Sequence, residues 1–502
     1  MPWLRSIEGR LMDENWATSL HCEGRTILKV SMSSHAVQSI GWTCLPFLCV
    51  LLLTQIAQSE NLSFQHVSVI PMDSERVLTD QTVLIAGNRI VEIGPSNRIK
   101  IPSGTRNIEG RGSFLIPGLC DMHVHFALPA LHPRYESLNR KWALELIANG
   151  VTTVRNMRGF PELLDFRREV DAGLIIGPHI YSTGPGNNSG GCAWPFDRRV
   201  DTVAVAHKAV SRDKADGFDA VKVFTGLNAA AYHSLAAEAH ASGLAVYGHV
   251  PDAVGLEGVL DAHQDSIEHL SGYLYAINST ECENGQISPG GISTRDSRSY
   301  DASILRSIAR KTQASGTWNC PTLVLLQTLG KRWQGLLHAW QAPGATPFLP
   351  WLWVLGKFNA AALRDERDEL PHFARVVMSM LHEAGARVVV GTDADGTYVA
   401  HGSSIHQELY NLVSAGYSRY EALRAGTADA AELLRKQDEF GTVEAGKLAN
   451  LILLQGNPLA DIRNTGQRIG VVVQGHWHSQ RDLEILVDSC DQVHNRRSWS
   501  CE

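Results

Sequence analysis

The sequence predicts an α/β protein: a (β/α)8 TIM barrel carrying a small β-sandwich domain built from N- and C-terminal strands. Three observations lead there. Strand-like apolar runs alternate with helix-like runs through residues 116–440, the order expected of a parallel sheet with crossover helices. Short alternating strands precede that region, in HVSVIPMD (66–73) and TVLIAGNRIVEIGP (82–95), and follow it, in GTVEAGKLANLILL (441–454) and GVVVQGHWH (470–478). Finally, 502 residues exceed one ordinary domain and suit a large barrel plus a smaller module.

Each element has its own signature. Gly87-Asn88 between two alternating runs predicts a tight hairpin turn. SFLIPGLCDMHVHF then leads into the helical YESLNRKWALELIANG, and VTTVRNM into PELLDFRREVDAG. PHIYSTGP leads into DTVAVAHKAVSRDKADG, and DAVKVF into AAAYHSLAAEAHASG. LAVYGHVP, SIEHL, TWNCPTLVLL and RVVVGTDA complete the strand-like set. An open doubly wound sheet is the alternative, but no GxGxxG follows an early strand. The expected divisions are a leader (1–59), a first sandwich part (60–115), the barrel (116–440), a second sandwich part (441–485) and a polar tail (486–502).

Within the leader, WTCLPFLCVLLLTQI (42–56) is apolar but short for a membrane span, which needs about 20 residues. Ala57 and Ser59 follow at signal-cleavage spacing. The segment reads as a secretory signal, implying a periplasmic or secreted protein; the alternative is a membrane anchor. The 40 residues before it are long for a signal and point to an over-extended start. A formal net charge of -7 gives no reason to expect nucleic acid, or a membrane surface beyond that segment, as partner. A homo-oligomer stays open. Nine cysteines show no CxxC; Cys490 and Cys501 could pair in an oxidising compartment.

The chemistry gathers at strand ends. In DMHVH, His123 and His125 are two apart on a strand and so share a face, as two ligands to one metal ion would. Lys222 sits in AVKVF, where a lysine needs a task. Carbon dioxide would turn its amine into an anionic carbamate able to bridge two cations; an outward-facing or Schiff-base lysine is the alternative. His249 (VYGHV) and His269 (SIEHL) each end an apolar strand. Asp393 ends RVVVGTD, where a buried carboxylate calls for a cation or hydrogen bonds.

Together IPGLCDMHVHF, DAVKVF, GHVP, IEHL and GTDA resemble the metal-dependent amidohydrolase superfamily, in particular its imidazolonepropionase-like and Xaa-Pro dipeptidase-like members. The resemblance covers about residues 64–485. It implies two divalent metal ions, zinc by preference. His123, His125 and Asp393 would hold the more buried ion, His249 and His269 the other, and carboxylated Lys222 would bridge them. The implied reaction is cleavage of a C–N amide bond in a small molecule by a hydroxide between the metals. Asp393 would be the catalytic acid/base. His406, in GSSIHQE, is the candidate substrate contact. The loops 183–199 and 280–300 are expected to shape the pocket, with Arg198 and Arg199 read as solvated. The same metal site could instead cleave a lactone or phosphoester, or the fold could serve as a non-catalytic scaffold.

Overall fold

The computed structural model describes residues 7–12, 15–22, 25–33, 61–190, 197–273, 302–330, 369–395 and 399–496. The chain divides into two units, Met1–Ser59 and Glu60–Glu502. The first contains an antiparallel sheet of three strands, β1 (Ile7–Met12), β2 (Asn15–Cys22) and β3 (Arg25–Ser33). The apolar segment 42–56 lies outside the described residues, among which no helix is long and apolar enough to cross a membrane.

In the second unit the terminal strands combine as expected. β4 (Leu62–Val69), β5 (Leu78–Ala86), β6 (Arg89–Pro95), β7 (Arg106–Glu109) and β8 (Phe114–Pro117) come from the N-terminal side. The β5–β6 hairpin turns on Gly87-Asn88, with Gly87 at φ 63°. β17, β18 and β19 (Leu451–Leu454, Arg468–Val473, His476–Ser479) return from the far end, and β17 pairs antiparallel with β8. All eight form one hydrogen-bonded sheet. It encloses its own core of Phe64, Val83, Ile90, Leu115, Leu453 and neighbours, because residues 446–449 bond back onto the β5–β6 hairpin through Ile90 N–H to Lys447 O (2.9 Å). Of GTVEAGKLANLILL, only the last four residues are strand.

Between these ends lies the barrel. β9 (Leu119–Val124), β10 (Val151–Asn156), β11 (His179–Asn188), β13 (Ala220–Val223), β14 (Ala245–Gly248), β15 (Ser266–Glu268) and β16 (Trp318–Cys320) run parallel in chain order, and the two-residue β12 (Arg198–Arg199) adds to β11. Most are buried along their whole length, as parallel strands covered on both faces must be. Helices α1 (Tyr135–Ala148), α2 (Pro161–Asp171), α3 (Val203–Asp216) and α4 (Ala229–Ala241) fall where the 3.6-residue pattern puts them. Thr202 and Asn228 cap the last two, accepting from the N–H groups of Val205 and Ala231.

The segment Arg387–Ala394 closes the ring as the eighth wall. Val389 N–H bonds to Asn319 O (2.9 Å) on β16, and Met122 N–H bonds to Val390 O (2.9 Å) from β9. TWNCPTLVLL departs from a single strand. It is β16 to Cys320, breaks at Pro321-Thr322, and continues as helix α7 (Leu323–Gly330), after α5 (Gly255–Asp261) and α6 (Ala302–Ser315). Then come α8 (Glu369–Glu383), α9 (Ser404–Ser414), α10 (Arg419–Ala425) and α11 (Ala428–Leu433). The expected polar tail (486–502) is helical through Arg496 as the end of α12 (Gln480–Arg496), a helix that begins in the expected second sandwich part and packs Leu483 with Ile147 and Val471. Cys501 lies outside the described residues.

Gly391 shows how tight the closure is. A Cβ there would lie 2.3 Å from Cys320 Sγ and 3.0 Å from the His123 backbone nitrogen. Gly391→Ala should therefore cost about 1–3 kcal/mol in urea unfolding. Adding Cys320→Ala should recover part of the loss, whereas an unchanged midpoint for Gly391→Ala alone would show that the eighth wall has room to spare.

Candidate metal centre

Five strand ends deliver the predicted residues to one place. His123 and His125 leave β9 on a shared face, Lys222 lies on β13, and His249 and His269 directly follow β14 and β15. Asp393 comes from the closing segment, its N–H bonded to His123 O (2.8 Å). Asp393 Oδ1 lies 3.3 Å from His123 Nε2 and 3.0 Å from His125 Nε2, and Oδ2 lies 3.9 Å from His269 Nε2. The rings follow one another: His123 to His269 is 4.6 Å between centroids, His269 to His249 5.1 Å. Phe224 packs edge-on against His249 at 4.9 Å, and the Lys222 ammonium lies 5.3 Å from the same phenyl ring. His123, Lys222, His249 and His269 are buried.

Backbone strain marks the same ring of strand ends. His269, Leu270, Thr322 and Asp393 have φ of 59°, 54°, 48° and 60°. Non-glycine residues hold left-handed conformations only where the surroundings impose them. Here the turns re-aim side chains that a continuing strand would send into the barrel wall. Asp121 locks the closure from below, accepting from Thr392 N–H (2.9 Å), Thr392 Oγ1 (2.7 Å) and His123 N–H (3.2 Å).

The electrostatics favour neutral imidazoles around one anion. Burial pushes His123 and His249 well below the usual histidine range, His269 down to about 4, and His125 in the same direction. Burial also pulls Lys222 down to about 8, against the opposing pull of Glu268 and Asp393. Asp393 goes the other way. Burial alone would raise its pKa, but His269, His125 and Lys222 outweigh that and hold it below the ordinary carboxylate range.

These residues fit a divalent cation. Buried polar atoms normally find partners, yet His123 Nε2, His125 Nδ1, His249 Nδ1 and Asp393 Oδ1 make no hydrogen bond. Donor atoms of His123, His269 and Asp393 lie within 4.8 Å of one another. Neutral imidazoles and a carboxylate are what zinc-like ions take.

His406 does not join them. Its Nδ1 faces Thr465 Oγ1 at 3.0 Å and its Nε2 faces Arg468 Nη1 at 2.8 Å, so both ring nitrogens are engaged beside β18. Two residues on, Glu408 reaches the barrel instead, accepting from Leu323 N–H (2.8 Å) and Val324 N–H (2.7 Å) at the start of α7. That contact secures the turn at Thr322, whose hydroxyl lies 2.8 Å from His269 Nδ1. A signal existed: Glu408 falls on the buried stripe Ile405, Leu409, Leu412 of α9. Nearer the cluster, His401 stacks on Trp142 at 4.2 Å and its Nε2 lies 3.1 Å from His125 O. Arg198 pairs with Asp213 at 2.5 Å and Arg199 with Asp201. Residues 191–196 of the loop 183–199, and the whole of the loop 280–300, lie outside the described residues.

The fold is a barrel whose strand ends gather a donor set that fits a divalent cation. Residues 114–478 match the amidohydrolase family, and the chain belongs to it. Among solved structures it is similar to a bottromycin amidohydrolase, 23% identical with a TM-score of 0.67, covering 89% of this chain and 93% of that one. A Xaa-Pro dipeptidase with methionine bound in its active site is 22% identical with a TM-score of 0.63, covering 84% and 100%. Adenine deaminase 2 of Bradyrhizobium sp. (strain ORS 278) is 26% identical over 212 residues, 38% of this chain and 33% of that protein. The chain thus spans about a third or less of the length of the curated relatives it matches.

Burial pushes the Glu408 carboxyl up to about 8 despite its two N–H partners. A carboxyl raised on folding binds its proton more tightly in the folded state, so stability is lost as pH rises from the unfolded value near 4.5 through 8. Urea unfolding of the wild type should weaken across that window by up to about 1.4 kcal/mol per pH unit relative to Glu408→Gln. Parallel pH curves for the two proteins would show that Glu408 stays ionised throughout.

Proposed function

We propose that this protein hydrolyses a C–N amide bond in a small molecule such as a dipeptide, an N-acyl amino acid or a cyclic amide, with two divalent cations as cofactors. His123, His125 and Asp393 would hold one ion, His249 and His269 the other, and Lys222 would bridge them as a carbamate. The imidazole-rich set suits zinc. When bound, such ions acidify water toward a pKa of about 7 and polarise a carbonyl oxygen.

The side chains supply the rest. Asp393, favoured as the anion, would take a proton from the attacking water and deliver it to the departing nitrogen. Lys222 needs its free amine to combine with carbon dioxide, and burial brings that form within reach near neutral pH. Phe224 and the surrounding strands keep bulk water from the amine and from His249. One observation carries the reading: His123 Nε2 and Asp393 Oδ1 lie 3.3 Å apart, buried and without a hydrogen bond, two electron-rich atoms that call for a cation.

Metal analysis should find about two equivalents per chain. His123→Ala should lose metal, and Asp393→Asn should lower kcat on the best amide by about 10²–10⁴-fold. A panel of dipeptides, N-acyl amino acids, lactones and phosphotriesters decides the bond type. Turnover of an ester with every amide untouched would replace the amide assignment, and ions without any turnover would indicate a scaffold. Export, read from 42–56, would be supported by mature protein beginning near Glu60; an intact leader on soluble cytoplasmic protein would refute it.

A further inference from the structure

Beneath His123 lies a buried charge network that the reaction itself does not use. Glu268, the last residue of β15, is fully buried beside the ligand His269. Its Oε2 is 2.7 Å from His123 Nδ1. Arg155, on β10, gives Nη2 to both carboxylate oxygens at 2.9 and 3.1 Å, and Ser266 Oγ donates to Oε1. The same guanidinium gives Nη1 to Ser266 Oγ (2.8 Å) and Nε to Met122 O (2.6 Å), next to His123 in the chain, and stacks 4.3 Å over Tyr247. It spans the barrel interior, since three strands separate β10 from β15 in the sheet.

We infer that Glu268, fixed by Arg155, is a positioning residue that sets the tautomer and ring orientation of His123. Hydrogen-bond direction decides the tautomer. An ionised carboxylate only accepts, so His123 Nδ1 must carry the proton it shares with Glu268. Neutral imidazole has only one N–H. His123 Nε2 therefore presents its lone pair to Asp393, in keeping with its lack of a hydrogen bond. Carboxylate partners that fix ligand histidines in this way tune metal affinity.

Glu268 is not itself a ligand. It lies with His123 and Cys320 in a second group of donor atoms within 4.8 Å. Both of its oxygens are already taken, Oε1 by Ser266 and Arg155 and Oε2 by His123 and Arg155. A cation there would sit against a cation. Arg155 holds the carboxylate where only His123 can use its remaining acceptor capacity.

The inference rests on the metal-centre reading, and the test separates the two. Zinc-loaded full-length protein is mixed with a chelating dye and the rate of zinc loss is followed. Glu268→Gln should lose zinc about 10–100-fold faster than wild type. Asp213→Asn removes another buried carboxylate–arginine pair, on α3 with Arg198, and should leave the rate unchanged. A wild-type rate for Glu268→Gln, or equal acceleration in both variants, would overturn the positioning role. Histidine-selective 15N spectra of the wild type supply a readout independent of Glu268→Gln, with the His123 signal assigned by its loss in His123→Gln. Protonated Nδ1 is expected; protonated Nε2 would overturn the inference even if Glu268→Gln failed to fold. A wild type that holds no zinc would instead end the metal reading and leave the tautomer question to the spectra.

Discussion

The site exists because the segment Arg387–Ala394 seats itself between β16 and β9. His123 and Asp393 are far apart in sequence, and only this closure brings them to 3.3 Å. Asp121 is the clasp: one buried carboxylate binds the Thr392 backbone and hydroxyl on one side and the His123 backbone on the other. Gly391 lets the segment pass close against Cys320 and His123. Since buried carboxylates are costly unless hydrogen-bonded, the clasp also disfavours any register in which Asp121 loses those donors.

Three buried carboxylates thus act on the cluster without entering it. Asp121 joins the two ligand-bearing strands, Glu268 orients the His123 ring, and Glu408 secures the turn from which Thr322 meets His269. Each is met by a different kind of donor: a hydroxyl and amides, a guanidinium, and the first amides of a helix. The division has an electrostatic logic. Carboxyl groups sit one layer below the centre, where protein donors meet each of them, and among the described residues of the cluster itself Asp393 is the carboxyl group beside the imidazoles.

The barrel is legible in the sequence because short strand-like runs rich in apolar residues alternate with helices that keep a 3.6-residue period. The clustered residues are legible because a histidine, lysine or aspartate at the end of an apolar strand is costly to bury without a charged or coordinating partner. What escapes is direction. His406 and Glu408 are two residues apart on α9, so they project roughly 200° apart around the axis, and motif position alone favours the wrong one. The buried stripe through Ile405 and Leu409 favours Glu408. Arg155 sits within VTTVRN, every residue of which is buried, and a buried arginine needs a task as much as Lys222 does. Glu268 is hidden by its neighbour, since it reads as the flank of His269. The turn that converts TWNCPTLVLL from strand to helix depends on Glu408, more than eighty residues away, which no local pattern reports.

The pairing of β8 with β17 has a consequence for synthesis. Phe114–Pro117 pairs with β4 on one side, but its other edge finds a neighbour only when Leu451–Leu454 has been made, more than three hundred residues later. At roughly 5–20 residues per second, that edge stays open on the ribosome for on the order of half a minute. An unpaired apolar strand edge is a template for aggregation, so the nascent chain carries that exposure until β17 has been made.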